Sequence, residues 1–358
     1  MTGRVFVIAE AGVNHGGSLE DALRMVDVAA EAGADAIKFQ TFDAARLATR
    51  RAGKAAYQVR NTGADDGQLS MLKALELDRE AHRTLVGRAK ARGVRFMSTA
   101  FDLDSLDFLA GLDMPAIKVP SGDLTWGAML LRTARLGRPL VVSTGMATLD
   151  EIRDALAVIG FALTREGPPS GGDELHATFA EPAVQALLQE RVTLLHCTTE
   201  YPAPLAAVNL RAMDLMAETF GLPVGYSDHT LGTTVAIAAA ARGATVIEKH
   251  FTLDRSRSGP DHAASLEPEE LAAMIRAIRE VETALGEARK APVAEELANR
   301  AIARRSLVAA RAIAAGEPFS PENLTAKRPA DGLSPMAIWP LLGRASPRAY
   351  AEDEAIEP

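Results

Sequence analysis

The chain has 358 residues, 47% hydrophobic and 24% charged, with a formal charge of −8 and a single cysteine, Cys197. This length outgrows one core of roughly 250–300 residues, which predicts a large domain plus a small one, and the composition excludes a disordered or fibrous chain. The acidic balance excludes generic binding to nucleic acid or anionic membranes, and one thiol excludes an internal disulfide and a cysteine-rich zinc site, as expected for a reducing, cytoplasmic setting.

Eight short β-type runs follow one another: RVFVIAE at 4–10, ADAIKFQ at 34–40, VRFMSTA at 94–100, AIKVPSG at 116–122, PLVVSTG at 139–145, VTLLHCT at 192–198, PVGYSD at 223–228 and ATVIEKHF at 244–251. Between them lie stretches such as SLEDALRMVDVAAEAG, DREAHRTLVGRAKARG, LDSLDFLAGL and TLDEIRDALAVI, with apolar residues at i, i+3, i+4 and i+7. Several open on Asp, Ser or Thr and close on Gly, the capping signature of helices. Strand–helix alternation implies parallel strands, and eight such units predict a (β/α)8 TIM barrel over residues 1–285, with an open doubly wound sheet as the alternative. Two insertions break the rhythm. Residues 44–77, with NTG at 61–63, read as an active-site loop, and EGPPSGGDE at 166–174, inside a longer insertion at 161–191, reads as a surface excursion. The apolar run in MTGRVFVIAEAG is too short for a secretory signal, and no stretch reaches the ~20 apolar residues of a membrane span. Residues 286–298, with Pro292, read as a linker, and 299–358 as an irregular β module too small to be stable by itself.

Barrel enzymes place their reactive groups at the C-terminal ends of the strands. Polar residues gather late in these runs: Glu10, Asn14 and His15; Lys38 and Gln40; Ser98 and Thr99; Lys118 and Ser121; Ser143 and Thr144; His196, Thr198 and Thr199; Asp228 and His229; Glu248 and His250. The two-residue period of a strand puts Lys38 with Gln40, and Glu248 with His250, on shared faces, expected to point inward. Lysines inside a barrel need an anion, and a bound phosphate or carboxylate would supply it. Ser121 and Ser143, in PSG and STG, add the hydroxyl and backbone donors that cradle phosphate oxygens. His229 and His250, at the ends of neighbouring strands and beside Asp228 and Glu248, form a candidate pair of ligands for Mn2+ or Mg2+. His15, His196 and His262 are weaker candidates for the mouth, over which Asp261 hangs, while His82 and His176 read as surface residues.

The segments IAEAGVNHGGSLEDA, AIKFQTF, STAFDLDSLDFL, KVPSGD, STGMAT, LLHCTTEYPAP, GYSDHT, IEKHFTLDRSRSGPDH and AKRPADGLSPM together resemble the sialic acid synthase family, whose members end in a small antifreeze-like (SAF, β-clip) domain, here expected over 299–358. The resemblance implies condensation of phosphoenolpyruvate with an open-chain N-acetylated hexosamine, giving a nonulosonic acid and phosphate. It assigns Lys38, Lys118, Ser121 and Ser143 to phosphoenolpyruvate and His229 and His250 to the metal. Glu10, Gln40, Asn61, Thr99, Phe101, Tyr201 and Asp261 fall to the sugar side or the mouth. It also implies a domain-swapped homodimer in which Arg328 of one copy reaches the other's site. Asp123 stands where many relatives have glutamate, and Thr199 where some have asparagine. Both departures lie on the sugar side and leave open N-acetylmannosamine or 2,4-diacetamido-2,4,6-trideoxymannose as the acceptor. Two other readings of the residues are a class I aldolase with Lys118 as Schiff base, and a carbohydrate- or ice-binding C-terminal module on an inert barrel.

Overall fold

The computed structural model describes residues 4–63 and 67–357; residues 64–66, within the expected active-site loop, lie outside the described residues. The chain divides into two compact units, Met1–Gly286 and Glu287–Pro358.

The first unit is a closed barrel of eight parallel strands in sequential order, which decides against the open sheet. They are β1 (Phe6–Gly12), β2 (Ala36–Thr41), β3 (Arg95–Ala100), β4 (Ile117–Val119), β5 (Leu140–Ser143), β6 (Val192–Cys197), β7 (Val224–Asp228) and β8 (Val246–His250). The helices begin where their caps stand. Ser18 accepts from Asp21 N, Asp78 from Ala81 N and Asp102 from Ser105 N, while Thr148 and Glu151 form a reciprocal capping box. Their apolar faces pack on the outer faces of the strands in one continuous core.

Inside the barrel, a bottom tier of Ile8, Ala36, Met97, Ala116, Val141, Leu195 and Val246 forms a separate apolar cluster. Gly225 completes it from β7, because a Cβ there would lie 2.3 Å from Val246 O and 2.7 Å from Leu195 Cδ2. Two residues later on each strand, on the same inward face, stand Glu10, Lys38, Thr99, Lys118, Ser143, Cys197, Ser227 and Glu248. A greasy floor thus carries a polar tier on every strand.

The same alternation explains the charged end of β8. Glu248 and His250 face inward, whereas Lys249 faces the helical layer, where its Nζ donates to Asp228 Oδ2 at 2.9 Å with both side chains fully buried. Asp228 also accepts from Thr230 N and Oγ1. Asp228 is therefore a structural partner of Lys249 and not, as expected, an acid beside the imidazole pair. His82 is likewise corrected: it is buried rather than on the surface, with Thr41 Oγ1 2.8 Å from Nε2 and Nδ1 donating to Asp78 O at 2.8 Å.

The insertion after β2 folds into short helices, among them Ala44–Leu47, Ala56–Thr62 and Gln68–Leu75. The later insertion carries helices Gly172–Phe179 and Pro182–Arg191, preceded by an exposed Gly/Pro stretch as expected. In the second unit, β9 (Ser306–Ala309) pairs antiparallel with β10 (Leu324–Lys327), around a small core that includes Leu307, Ile313, Phe319 and Tyr350. A helix at Ala294–Ala303 occupies part of what reads as linker; its Ala- and Glu-rich sequence favours a helix once Pro292 is passed. Among the described residues no helix is long and apolar enough to cross a membrane.

Candidate active site

A cavity of about 350 Å3 opens above the polar tier of the barrel. Glu10, Lys38, Gln40, Thr99, Phe101, Lys118, Ser121, Ser143, Thr199, Tyr201, His229, His250 and Asp261 all line it. Asn61 sits at the rim, its Nδ2 donating to Pro260 O at 2.6 Å. Asp123 is half-buried beside Ser121 and Gly122 but does not line the wall. Arg328 is exposed on the second unit. His15, His196 and His262 do not line the cavity; His15 Nδ1 accepts from Gly17 N, His196 Nε2 donates to Val208 O, and His262 Nδ1 pairs with Thr252 Oγ1.

Four charges are wired together on the cavity floor. Lys38 Nζ lies 2.7 Å from Glu10 Oε2 and 3.7 Å from Glu248 Oε2, and Lys118 Nζ lies 3.5 Å from Glu248 Oε1. Lys38 also donates to Thr99 Oγ1 at 3.1 Å, and Ser227 Oγ to Glu248 Oε1 at 3.0 Å. Strand register explains the closest pair, since Glu10 and Lys38 are partners across β1 and β2. The lysines therefore do not depend on a ligand for their counter-charge: Glu10 and Glu248 supply it, and both lysine side chains are 4% exposed.

The environments push these groups apart. Burial raises the Glu10 carboxyl to about 7, although Lys38 opposes the rise. Burial also pushes Glu248 up, but Lys118 and Lys38 outweigh it and hold Glu248 below the usual carboxylate range. For Lys38 burial disfavours the charge, and Glu10 and Glu248 more than restore it, leaving its pKa raised. Among the described residues Lys118 has a single, longer carboxylate contact, and burial lowers its pKa. Asp261, buried with only the distant help of Lys38, rises to about 7.

That rise has a measurable sign. A carboxyl whose pKa is higher folded than unfolded stabilises the fold while protonated, so its contribution is lost as pH climbs from about 4 to about 7. Asp261→Asn should remove this component. The difference in urea midpoint between wild type and variant, followed from pH 4 to pH 8, is expected to shift in favour of the variant as pH rises; a difference independent of pH contradicts it.

Above the lysines, His229 and His250 stand with ring centroids 5.6 Å apart. His229 Nδ1 donates to Thr198 O at 2.7 Å, which leaves Nε2 as an acceptor, 3.5 Å from Ser227 Oγ. His250 Nδ1 is buried without a hydrogen-bond partner. Burial lowers His229 to about 4 and His250 well below its usual value, so both rings are neutral, the form that binds a cation. Tyr201 stacks on His229 at 4.1 Å and fixes its plane. Among the described residues no set of three or more His, Cys, Asp or Glu side chains is arranged to hold a metal.

Opposite the imidazoles, the turns after β4 and β5 meet. Gly145 N donates to Ser121 Oγ at 2.9 Å, and a Cβ at 145 would collide with Thr199 Oγ1 at 2.4 Å and Ser121 Oγ at 2.8 Å. Ser143 Oγ and Thr199 Oγ1 are buried without hydrogen-bond partners, so this wall offers polar atoms to whatever enters.

Residues 25–290 match the NeuB family, and residues 304–358 match the SAF domain. The chain belongs to the NeuB family. It is 45% identical to the N,N'-diacetyllegionaminic acid synthase of Campylobacter jejuni over 353 residues, covering 99% of both chains. It is 44% identical to the N,N'-diacetyllegionaminic acid synthase of Legionella pneumophila, covering 94% of this chain and 89% of the relative. The crystal structure of an N-acetylneuraminic acid (sialic acid) synthetase from Leptospira borgpetersenii in complex with citrate superposes with a TM-score of 0.66 at 30% identity, over 83% of this chain and 90% of that one. The TIM barrel and the C-terminal SAF domain expected from the sequence are thus both present in this NeuB member.

Several cavity residues were not singled out by the sequence. Cys197 and Ser227 stand two residues above Leu195 and Gly225, so the strand period would have placed them. Glu248 was recognised as an acid near the imidazoles, but its bridge between the two lysines depends on barrel closure. Tyr57, Gln58, Gln68 and Met71 come from the loop after β2, where no periodicity marks an inward face.

Proposed function

We propose that this NeuB chain is a nonulosonic acid synthase that condenses phosphoenolpyruvate with an open-chain N-acetylated hexosamine and releases phosphate. The acceptor is N-acetylmannosamine or 2,4-diacetamido-2,4,6-trideoxymannose, and the relatives named as legionaminic acid synthases support the second. These relatives support this reading over an aldolase acting through Lys118 or an inert barrel with a carbohydrate-binding module. The observation that carries it is the convergence of Lys38 and Lys118, bridged by Glu248, beneath two neutral imidazoles in one cavity.

Lys38, Lys118, Ser121 and Ser143 hold the phosphate and carboxylate of phosphoenolpyruvate, with the Gly145 turn keeping Ser121 in place. This is electrostatic stabilisation by groups already oriented before the substrate arrives. His229 and His250 would hold a divalent ion, Mn2+ or Mg2+, which when bound would supply Lewis acidity at the sugar carbonyl. The enol carbon C3 forms a bond to the aldehyde carbon of the sugar, whose oxygen takes up a proton. Water adds at C2 and gives up its proton, and Glu10, with a pKa near 7 and in contact with Lys38, is placed to accept it. The bond between C2 and the phosphate oxygen then breaks as the new C2 hydroxyl passes its proton to the departing phosphate, leaving the keto acid and inorganic phosphate. Asp261, Gln40, Thr99, Phe101, Asn61, Thr199 and Tyr201 surround the sugar, with Asp123 at the edge.

The enzyme works in the cytoplasm as a domain-swapped homodimer in which Arg328 of a second copy closes the site. Exposed apolar side chains support the pairing: Met146, Leu205 and Leu231 on loops after the strands of the first unit, and Met336 and Trp339 on the second. Phosphate release from phosphoenolpyruvate should require both an N-acetylated sugar and a divalent ion. In 18O-labelled water the label should enter the keto acid at C2 and stay out of the phosphate; label in phosphate would mean P–O cleavage and defeat this chemistry.

A further inference from the structure

Tyr201 touches both members of the imidazole pair. Its ring stacks on His229 with centroids 4.1 Å apart and meets His250 edge-on at 5.6 Å, the two planes at 88°. A third ring, that of Tyr57, packs on Tyr201 with centroids 5.0 Å apart. Tyr57 belongs to the helix Ala56–Thr62 of the insertion after β2, and this helix grips the Tyr201 segment twice more. Arg60 Nη2 lies 2.8 Å from Glu200 Oε1, and Asn61 Nδ2 donates to Tyr201 O at 3.4 Å and to Pro260 O at 2.6 Å. Further along the insertion, Gly17, at φ +80°, lets Ala74 O approach to 2.5 Å from where a Cβ would stand. The three grips are unequal. Arg60 and Glu200 are 58% and 41% exposed, and such a pair gains little against water and salt. Two aromatic rings in contact contribute beyond the area they bury, which makes Tyr57 the principal hold.

We propose that Tyr57 is a positioning residue for the imidazole pair: through Tyr201 the insertion helix sets the orientation of His229 and His250, so that docking of the helix and binding of a divalent ion strengthen each other. The inference rests on the reading of these histidines as metal ligands. Their orientations have different supports. His229 is tied at Nδ1 to Thr198 O, whereas His250 Nδ1 has no hydrogen-bond partner among the described residues. The His250 ring is therefore oriented by packing, between the edge contact with Tyr201 and Gly12, where a Cβ would stand 3.2 Å from its Cε1. The helix is the adjustable part. It has seven residues, none of them buried, and a helix that short does not persist in water without its docking contacts. Linked equilibria are reciprocal, so an ion that binds more tightly to the docked form stabilises docking by the same factor.

The test measures Mn2+ affinity by calorimetry, and amide hydrogen exchange with and without Mn2+, on the full chain in the absence of substrates. Tyr57→Ala should weaken Mn2+ binding by about 5-fold or more, toward the 10–100-fold typical of losing a group that supports a ligand directly. Tyr57→Phe keeps the ring contact and should stay within about 2-fold of wild type. In wild type, saturating Mn2+ should slow exchange at residues 56–62 by about 5-fold or more and leave the helix Gly172–Phe179 unchanged, and Tyr57→Ala should abolish that slowing. A Tyr57 that only stabilises the fold would leave exchange indifferent to the ion. Wild type that binds Mn2+ while a folded Tyr57→Ala binds it equally well, or while exchange at 56–62 ignores the ion, overturns the inference and leaves the metal reading intact. Loss of affinity in Tyr57→Phe equal to that in Tyr57→Ala would assign the effect to the hydroxyl and overturn the ring stack. Wild type that binds no Mn2+ overturns the metal reading and this inference with it. The wild-type exchange measurement decides the question where Tyr57→Ala does not fold.

Discussion

Lys118→Met is expected to lower kcat/KM for phosphoenolpyruvate by about 10³-fold while leaving a folded protein. Loss of one preorganised donor from a buried anion site costs about 10²–10³ in rate, and an ammonium contributes charge as well as a hydrogen bond. Lys118 is the less supported of the two lysines, with Glu248 as its only carboxylate contact among the described residues, at 3.5 Å. The ligand anion consequently matters more to Lys118 than to Lys38, which already has Glu10 at 2.7 Å. Methionine preserves most of the buried volume, and Glu248 keeps both Lys38 and Ser227 as partners, so the variant leaves no unpaired charge. Steady-state kinetics beside a urea titration decide the matter. A variant with near-normal kcat/KM would remove Lys118 from the anion site, and one that fails to fold would make it a structural residue.

The second large effect is expected at His250. On the proposed reading the two imidazoles would be the protein's own ligands to the metal, and no third acid, histidine or cysteine among the described residues completes the set. His250→Gln should therefore weaken Mn2+ binding by more than about 100-fold, beyond the 10–100-fold typical of losing only a supporting hydrogen bond to a ligand. Calorimetric titration of Mn2+ in the absence of substrates reads this directly. Unchanged affinity would place the metal elsewhere. His229 should behave alike, because Thr198 O and the Tyr201 ring fix its orientation.

Much of the barrel was legible because it is written in local chemistry. Ser18, Asp78, Asp102 and Thr148 mark where helices start, and the β-branched runs mark the strands between them. The inward face was legible too, since a period of two carries Lys38 and Gln40, or Glu248 and His250, to the same side. Other features depend on closure. Asp228 and Glu248 look equivalent along the chain, yet one faces out to Lys249 and the other bridges Lys38 and Lys118, because β7 ends one residue out of phase with β8. His82 lies in a helix with a strongly polar sequence, and its contacts with Thr41 on β2 and with the rings of Phe96 and Phe108 make it a core residue. The insertion after β2 was recognisable as a site loop from its length and position. Which of its side chains face the cavity follows from how Tyr57, Asn61 and Gly17 dock it, and those contacts span up to 199 residues of sequence.

Anomalous diffraction from crystals soaked with Mn2+ and phosphoenolpyruvate tests the central claim most directly. The account requires one Mn2+ peak within ligand distance of both His229 and His250, about 2.1 Å for nitrogen donors, and the phosphate of phosphoenolpyruvate on Lys38 and Lys118. A metal bound by only one of these histidines, or a phosphate lying outside the polar tier, would contradict it.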